Sequence, residues 1–124
     1  MNALGLHVLL ELRACNGALL DDLVFVHDTM LRAARETGAT VIDDIFHQFS
    51  PQGVTGVVAI AESHLCIHTW PEYEYAAVDI FTCGDGFSPR DAAALIVEAF
   101  ESRDPEVTEV RRGLIAQLQS IEGS

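Results

Sequence analysis

Residues 62–72 read Glu62-Ser63-His64-Leu65-Cys66-Ile67-His68-Thr69-Trp70-Pro71-Glu72, and residues 75–84 read Tyr75-Ala76-Ala77-Val78-Asp79-Ile80-Phe81-Thr82-Cys83-Gly84. Successive side chains of a strand point to opposite faces. On that rule His64, Cys66 and His68 share one face of the first segment. In the second, Ala77, Asp79, Phe81 and Cys83 share one face, and Ala76, Val78, Ile80 and Thr82 the other. The first segment sets a serine, two histidines, a cysteine, a tryptophan and two glutamates between apolar runs. A surface loop does not need such apolar neighbours, and a plain core strand does not need so many reactive groups. The segment reads as a strand at the edge of a site. Pro71 ends it, and a polar turn over 72–75 leads into the second strand.

Working outward, Val54 to Ile60 is a short, nearly continuous apolar strand. Pro51-Gln52-Gly53 is a turn signal before it. Ala39 to Phe49 is rich in β-branched and aromatic residues and reads as a strand antiparallel to it. Upstream, Leu23, Val26, Met30 and Ala33 or Ala34 fall at helical spacing, which predicts one helix over 19–37. Asp21 and Asp22 suit its positive end and Gly38 its stop. Met30 and Phe25 read as core. Leu4 to Leu12 alternates loosely as a first strand, and Cys15-Asn16-Gly17 as a turn. Downstream, Gly84-Asp85-Gly86 ends the strand. Ser88 caps a helix with Pro89 at its first position. That helix is expected to reach about Ser102, with Ala93, Ile96, Val97 and Phe100 buried, and Pro105 prevents its continuation. Glu106 to Arg112 alternates as a last strand. The tail from Gly113 to Ser124 reads equally as helix or as a frayed end.

The order strand, helix, several strands, helix, strand gives an α+β fold: a two-layer sandwich, mainly antiparallel sheet with helices on one face. One domain over 1–124 accommodates it. The other sheet face is left open for a partner subunit.

Composition narrows the function. The net charge is −12 with only seven Lys and Arg, which argues against nucleic acid. No run of 18 apolar residues occurs, so no membrane span is expected. No signal peptide is visible, and cytoplasmic location is the default expectation. Three cysteines, Cys15, Cys66 and Cys83, form no CxxC pair, so no disulfide framework is expected.

Three chemistries compete for the central residues. His64, Cys66, His68 and Cys83 could offer imidazole and thiolate to a metal. Structural zinc sites usually take ligand pairs from tight turns, and none occurs here, so no metal is assigned. Cys83 and His68 each close a strand, where a nucleophile or proton donor can reach a cleft. Equally, Cys66 and Cys83 read as small buried hydrophobes. The Ser63 hydroxyl could attack the carbonyl before it, or simply serve a turn.

The two quoted segments closely resemble the prokaryotic S-adenosylmethionine decarboxylase proenzyme family. The similarity extends to Leu4-Gly5 with His7, Gly38-Ala39-Thr40, Phe46-His47 with Phe49, and Gly53-Val54 with Gly56-Val57-Val58. The resemblance implies self-cleavage between Glu62 and Ser63 into a β chain 1–62 and an α chain 63–124. Residue 63 would become a covalent pyruvoyl cofactor. His68 matches the processing histidine, with Thr55 in support, and Cys83 the proton donor. Glu72 matches a ribose-binding acid, and Phe49 and Leu65 are substrate-pocket candidates. The implied product is decarboxylated S-adenosylmethionine, the aminopropyl donor for spermidine, made by a homodimer of processed protomers.

The chain departs from the family pattern at three positions. Thr55 stands where serine is common, Cys66 where Ser or Thr is frequent, and Glu74 where glycine is frequent. An added acid at Glu74 could suit a basic substrate, so a pyruvoyl-dependent decarboxylase of ornithine or arginine is the alternative. An unprocessed, noncatalytic binding protein is another.

Overall fold

A computed structural model describes residues 2–84, 86–118 and 121. Its elements are β1 (Ala3–Arg13), α1 (Gly17–Leu20), α2 (Leu23–Glu36), β2 (Val41–Gln48), β3 (Val54–Ile60), β4 (Ser63–Trp70), β5 (Tyr75–Thr82), α3 (Pro89–Ala99) and β6 (Asp104–Leu114). The strands form one six-stranded sheet in the order β2-β3-β4-β5-β1-β6. Every neighbouring pair is antiparallel. Together with helices on one side, this is the expected α+β sandwich.

Alternation decides which side of each strand is buried. Val8, Leu10 and Leu12 of β1, Leu65 and Ile67 of β4, and Val78 and Ile80 of β5 face the helices. Val26 and Met30 of α2 and Ile96 of α3 close over them, with Phe100 just beyond α3. Each such side chain contributes about 1.5–3 kcal/mol by leaving water. Phe25, partly buried, meets Phe100 edge-on at 5.6 Å.

The stretch expected as one helix over 19–37 is two. Asp22 adopts an extended conformation, and its side chain accepts the Phe25 N–H at 3.0 Å, starting α2 afresh. Asp21 is held to the sheet instead. Its carboxylate accepts the Gly53 N–H, and its carbonyl accepts from the Gln48 amide. An acid that binds neighbouring backbone competes with helix continuation. Asn16 likewise caps α1 rather than lying in a simple turn.

α3 stops at Ala99, short of Ser102, because the chain turns onto the end of β1. The Ser102 hydroxyl donates to the Arg13 carbonyl. Within α3, Ala92 is buried alongside Ala93 and Ile96, and Val97 is only half-buried. β6 extends beyond 106–112 at both ends and takes in Pro105, which an edge strand tolerates. Past it lies one 3₁₀ turn over Ile115–Gln117. Asp85 and most of the tail beyond Leu118 lie outside the described residues.

Gly38 shows why α2 ends where it does. Its φ is +107°, and a Cβ there would sit 2.1 Å from the Gly86 carbonyl oxygen. Only glycine permits that approach. It brings the end of α2 against the loop after β5, beside the turn joining β3 to β4.

Candidate active site

That β3–β4 turn is Ala61–Glu62. Glu62 has φ +62°, the left-handed region that a side-chain-bearing residue adopts only under constraint. Its carbonyl accepts two hydrogen bonds from Cys83. The Cys83 N–H donates at 3.2 Å and the thiol at 2.9 Å. The next residue, Ser63, pairs with Thr82 across β4 and β5 and donates its hydroxyl to Thr82 Oγ1 at 2.9 Å. A cavity of about 160 Å³ opens on this corner, lined in part by Gly38, Thr40, Glu62, Ser63, Thr82 and Phe87. It is polar and large enough to admit water. The fold thus brings Glu62, Ser63 and Cys83 together.

His68 and Thr55 form a second group. They face one another across β3 and β4, with Thr55 Oγ1 3.0 Å from His68 Nδ1. The threonine hydroxyl is thus within hydrogen-bond reach of the ring. The His68 ring lies 6.4 Å from that of Trp70, which meets Tyr75 at 5.5 Å. Phe49 is half-exposed nearby, its ring 4.6 Å from that of His47. Glu72 is exposed on the 3₁₀ turn over Pro71–Tyr73. This group belongs to the far end of β4. His68 lies five positions after Ser63, about 16 Å of extended strand. Within one chain the two groups do not meet.

Leu65 belongs to neither group. It is 0% exposed and lies in the core beneath the helices. As a substrate-pocket side chain it is corrected to a packing residue, because alternation turns it away from His64 and Cys66. Cys66 lies on the open face opposite Asp79. Burial, with the Asp79 carboxylate beside it, pushes its thiol up to about 11.

Around the first group, His7, Asp79 and Phe81, to which the sequence reading gave no role, gather about His64. On the open face His7 Nε2 lies 3.0 Å and His64 Nε2 3.4 Å from Asp79 Oδ2. Phe81 stacks on His64 and meets His7 edge-on. Three such ligand atoms could hold a metal by distance alone. Arg112 argues otherwise, since its guanidinium lies 3.3 Å from His7 Nδ1 and can only donate. That makes Nδ1 the acceptor and leaves the proton on Nε2, donated to Asp79. His7 and Asp79 thus form a hydrogen-bonded pair, with His64 lying alongside. Thr82, 3% exposed, reads in the sequence as one more core residue of a β-branched strand.

Glu74 accounts for its own departure. It closes the 3₁₀ turn with φ +52°, where glycine is least strained. Its N–H donates to the Pro71 carbonyl, and its own carbonyl accepts from Cys15. It is a turn residue.

Comparison with known proteins agrees with this geometry. A family model described as S-adenosylmethionine decarboxylase matches residues 6–113. The S-adenosylmethionine decarboxylase proenzyme of Thermodesulfovibrio yellowstonii is 53% identical over 116 residues, covering 94% of this chain and 86% of the relative. That of Moorella thermoacetica is 51% identical over 120 residues, covering 97% and 96%. The crystal structure of the adenosylmethionine decarboxylase from Aquifex aeolicus superposes with a TM-score of 0.87 at 31% identity, covering 97% of this chain and 99% of that one. With a family model matched over residues 6–113, half its residues shared with the two proenzyme relatives and the same fold, the chain belongs to the S-adenosylmethionine decarboxylase family.

Proposed function

We propose that the protein cleaves itself between Glu62 and Ser63 and then decarboxylates S-adenosylmethionine, supplying an aminopropyl donor for spermidine synthesis. One observation carries the self-cleavage: two donors of Cys83 converge on the carbonyl that Ser63 would attack. A bond forms between Ser63 Oγ and the Glu62 carbonyl carbon. Negative charge then develops on the Glu62 oxygen, where the Cys83 N–H and S–H already point. The Glu62–Ser63 peptide bond breaks, and the hydroxyl proton ends on the Ser63 nitrogen. Loss of the Ser63 α-proton expels Glu62 as a carboxylate. Water from the adjacent cavity replaces the nitrogen at residue 63 and releases it as ammonia.

The residues at this corner fit a pyruvoyl group at position 63. It would sit at the mouth of a polar cavity, with the exposed Cys83 thiol at the adjoining Glu62 carbonyl. When formed, that group supplies an electron sink for decarboxylation. Cys83 then donates the proton that replaces the carboxylate on the substrate α-carbon. Glu72 would accept the two ribose hydroxyls side by side, and Phe49 would stack on the adenine.

The 16 Å between the two groups is met by a homodimer. His68 lies on the open sheet face opposite Thr55, and Cys83 follows the other end of β5, beside Glu62. Two copies joined through that face by a two-fold axis, strands running oppositely, set one copy's far end over the other's cleavage corner. His68 of the partner subunit then assists ester breakdown, and Glu72 of the partner subunit reaches the substrate. Half-exposed Leu9 and Val57 on that face suit such a contact.

The direct test follows intact mass during incubation and then assays carbon dioxide release from S-adenosylmethionine, ornithine and arginine in parallel. Two fragments, 1–62 and a pyruvoyl-blocked 63–124, with release from S-adenosylmethionine alone, are expected. A chain that stays whole, or one active only on a basic amino acid, overturns the proposal.

A further inference from the structure

Resting on the self-cleavage proposed above, we infer that Thr82 is a positioning residue for it: its hydroxyl holds the Ser63 nucleophile in the orientation from which it attacks Glu62. A threonine hydroxyl offers one proton and two lone pairs. At Thr82 the proton has a destination, because Oγ1 donates to the Gly84 carbonyl at 3.5 Å. The Gly84 N–H approaches the same oxygen at 3.4 Å. What remains is an acceptor, and Ser63 Oγ–H is 2.9 Å away. The direction of the bond is thereby set: Ser63 donates and Thr82 accepts.

That direction matters for the acyl shift. With its proton committed to Thr82, Ser63 Oγ keeps its lone pairs free for the carbonyl carbon, and acceptance of the proton raises electron density on the oxygen. Were the bond reversed, one of those lone pairs would be occupied. Thr82 is 3% exposed, so its side chain is held by the packing around it. Its β-branched side chain is restricted at χ1, which fixes where the acceptor sits. Adjacent in sequence, Cys83 holds the other reactant, the Glu62 carbonyl. One two-residue stretch at the end of β5 therefore fixes both nucleophile and electrophile. Over the step Thr82 neither gains nor loses a proton. The hydroxyl proton of Ser63 ends on the Ser63 nitrogen, as before.

The experiment compares cleavage rates of freshly synthesised full-length chains by intact mass. Thr82→Val keeps shape and removes the acceptor, and cleavage should slow about tenfold. Thr82→Ser restores the hydroxyl and should return the rate close to that of the parent chain. Thr69→Val is the control. Thr69 is also buried, and its hydroxyl bonds the Leu20 carbonyl and the Val54 N–H at the far end of β4. Its loss should lower the melting temperature and leave cleavage unchanged. Should Thr82→Val fail to fold, Thr82→Ala against Thr82→Ser carries the same comparison. Hydroxylamine, which cuts esters, should release no further fragment from uncleaved Thr82→Val. Parental cleavage in Thr82→Val, equal slowing in Thr82→Ser or Thr69→Val, or scission by hydroxylamine each overturns the role. A parent chain that never cleaves sinks the self-cleavage itself, an outcome distinct from all of these.

Discussion

The two ends of β4 are built on opposite plans. At the Ser63 end the reacting groups are held. Cys83 binds the Glu62 carbonyl and Thr82 the Ser63 hydroxyl, by bonds of 2.9–3.2 Å, around a backbone in the left-handed region. At the Trp70 end, rings and acids face outward. Trp70 and Phe49 are 40% and 49% exposed, and Glu72 is exposed beside them. A bond-breaking corner needs its reactants fixed in advance, because effective concentration depends on orientation. A recognition surface needs unfilled hydrogen-bonding capacity, and the Trp70 end has it. In the proposed function one strand carries both, and its length keeps them apart within a chain.

The sharpest way to break this contrast is at Ser63. Ser63→Ala removes the nucleophile, and intact mass should show one uncut chain indefinitely, with no decarboxylation. Scission after Glu62 in that variant would mean that the corner is not where cleavage begins. Cys83→Ala comes next. Loss of the thiol removes one donor to Glu62 and the proton donor of the mature enzyme, so kcat should fall about 10²–10⁴-fold in whatever fraction matures. Glu72→Gln addresses the other end. It should raise KM for S-adenosylmethionine about 10–100-fold, the value of a charged hydrogen-bond pair, while cleavage keeps its parental rate. Slowed cleavage in Glu72→Gln would give the acid, and not His68 alone, a part in processing and dissolve the distinction.

The smallest effect concerns the thiols. Cys66 is pushed up to about 11 by burial and by Asp79, so at pH 8 it remains protonated and half-covered. Iodoacetamide should label exposed Cys83 well before Cys66, as read by peptide mass. The sign of the pH dependence follows. In the unfolded chain this thiol ionises near its ordinary 9.0, and in the fold near 11. Its contribution to stability is therefore intact below pH 9 and lost as pH rises toward 11. Denaturation curves should show this slope diminished in Cys66→Ala.

Much of the architecture was legible because strands announce themselves by alternation. The inward set Ala76, Val78, Ile80 and Thr82 is buried as its spacing requires. What escaped depends on partners distant in sequence. The break between α1 and α2 is made by Asp21 binding Gly53, 32 residues away. No local pattern reveals that. Leu65 shows a different failure. Resemblance supplied its position, whereas the period of the strand, already implied by His64, Cys66 and His68, supplied its side. Thr82 stayed hidden because a threonine fits a core strand by shape, and only its cross-strand neighbour gives its hydroxyl a purpose. The Glu74 departure was visible, and its explanation was a backbone angle.

The order β2-β3-β4-β5-β1-β6 has a consequence for the protein after cleavage. A cut before Ser63 leaves β1, β2 and β3 on one fragment and β4, β5 and β6 on the other. In the sheet these alternate, so the fragments meet along three seams: β3 with β4, β5 with β1, and β1 with β6. β1, from the first fragment, is clasped on both sides by strands of the second. The halves are interlocked like folded fingers, and cleavage releases nothing. Building one protomer's sheet takes one chain before cleavage and two fragments afterwards. Recovery of that sheet from full denaturation, read by far-UV circular dichroism, should therefore gain a dependence on fragment concentration once the chain is cut.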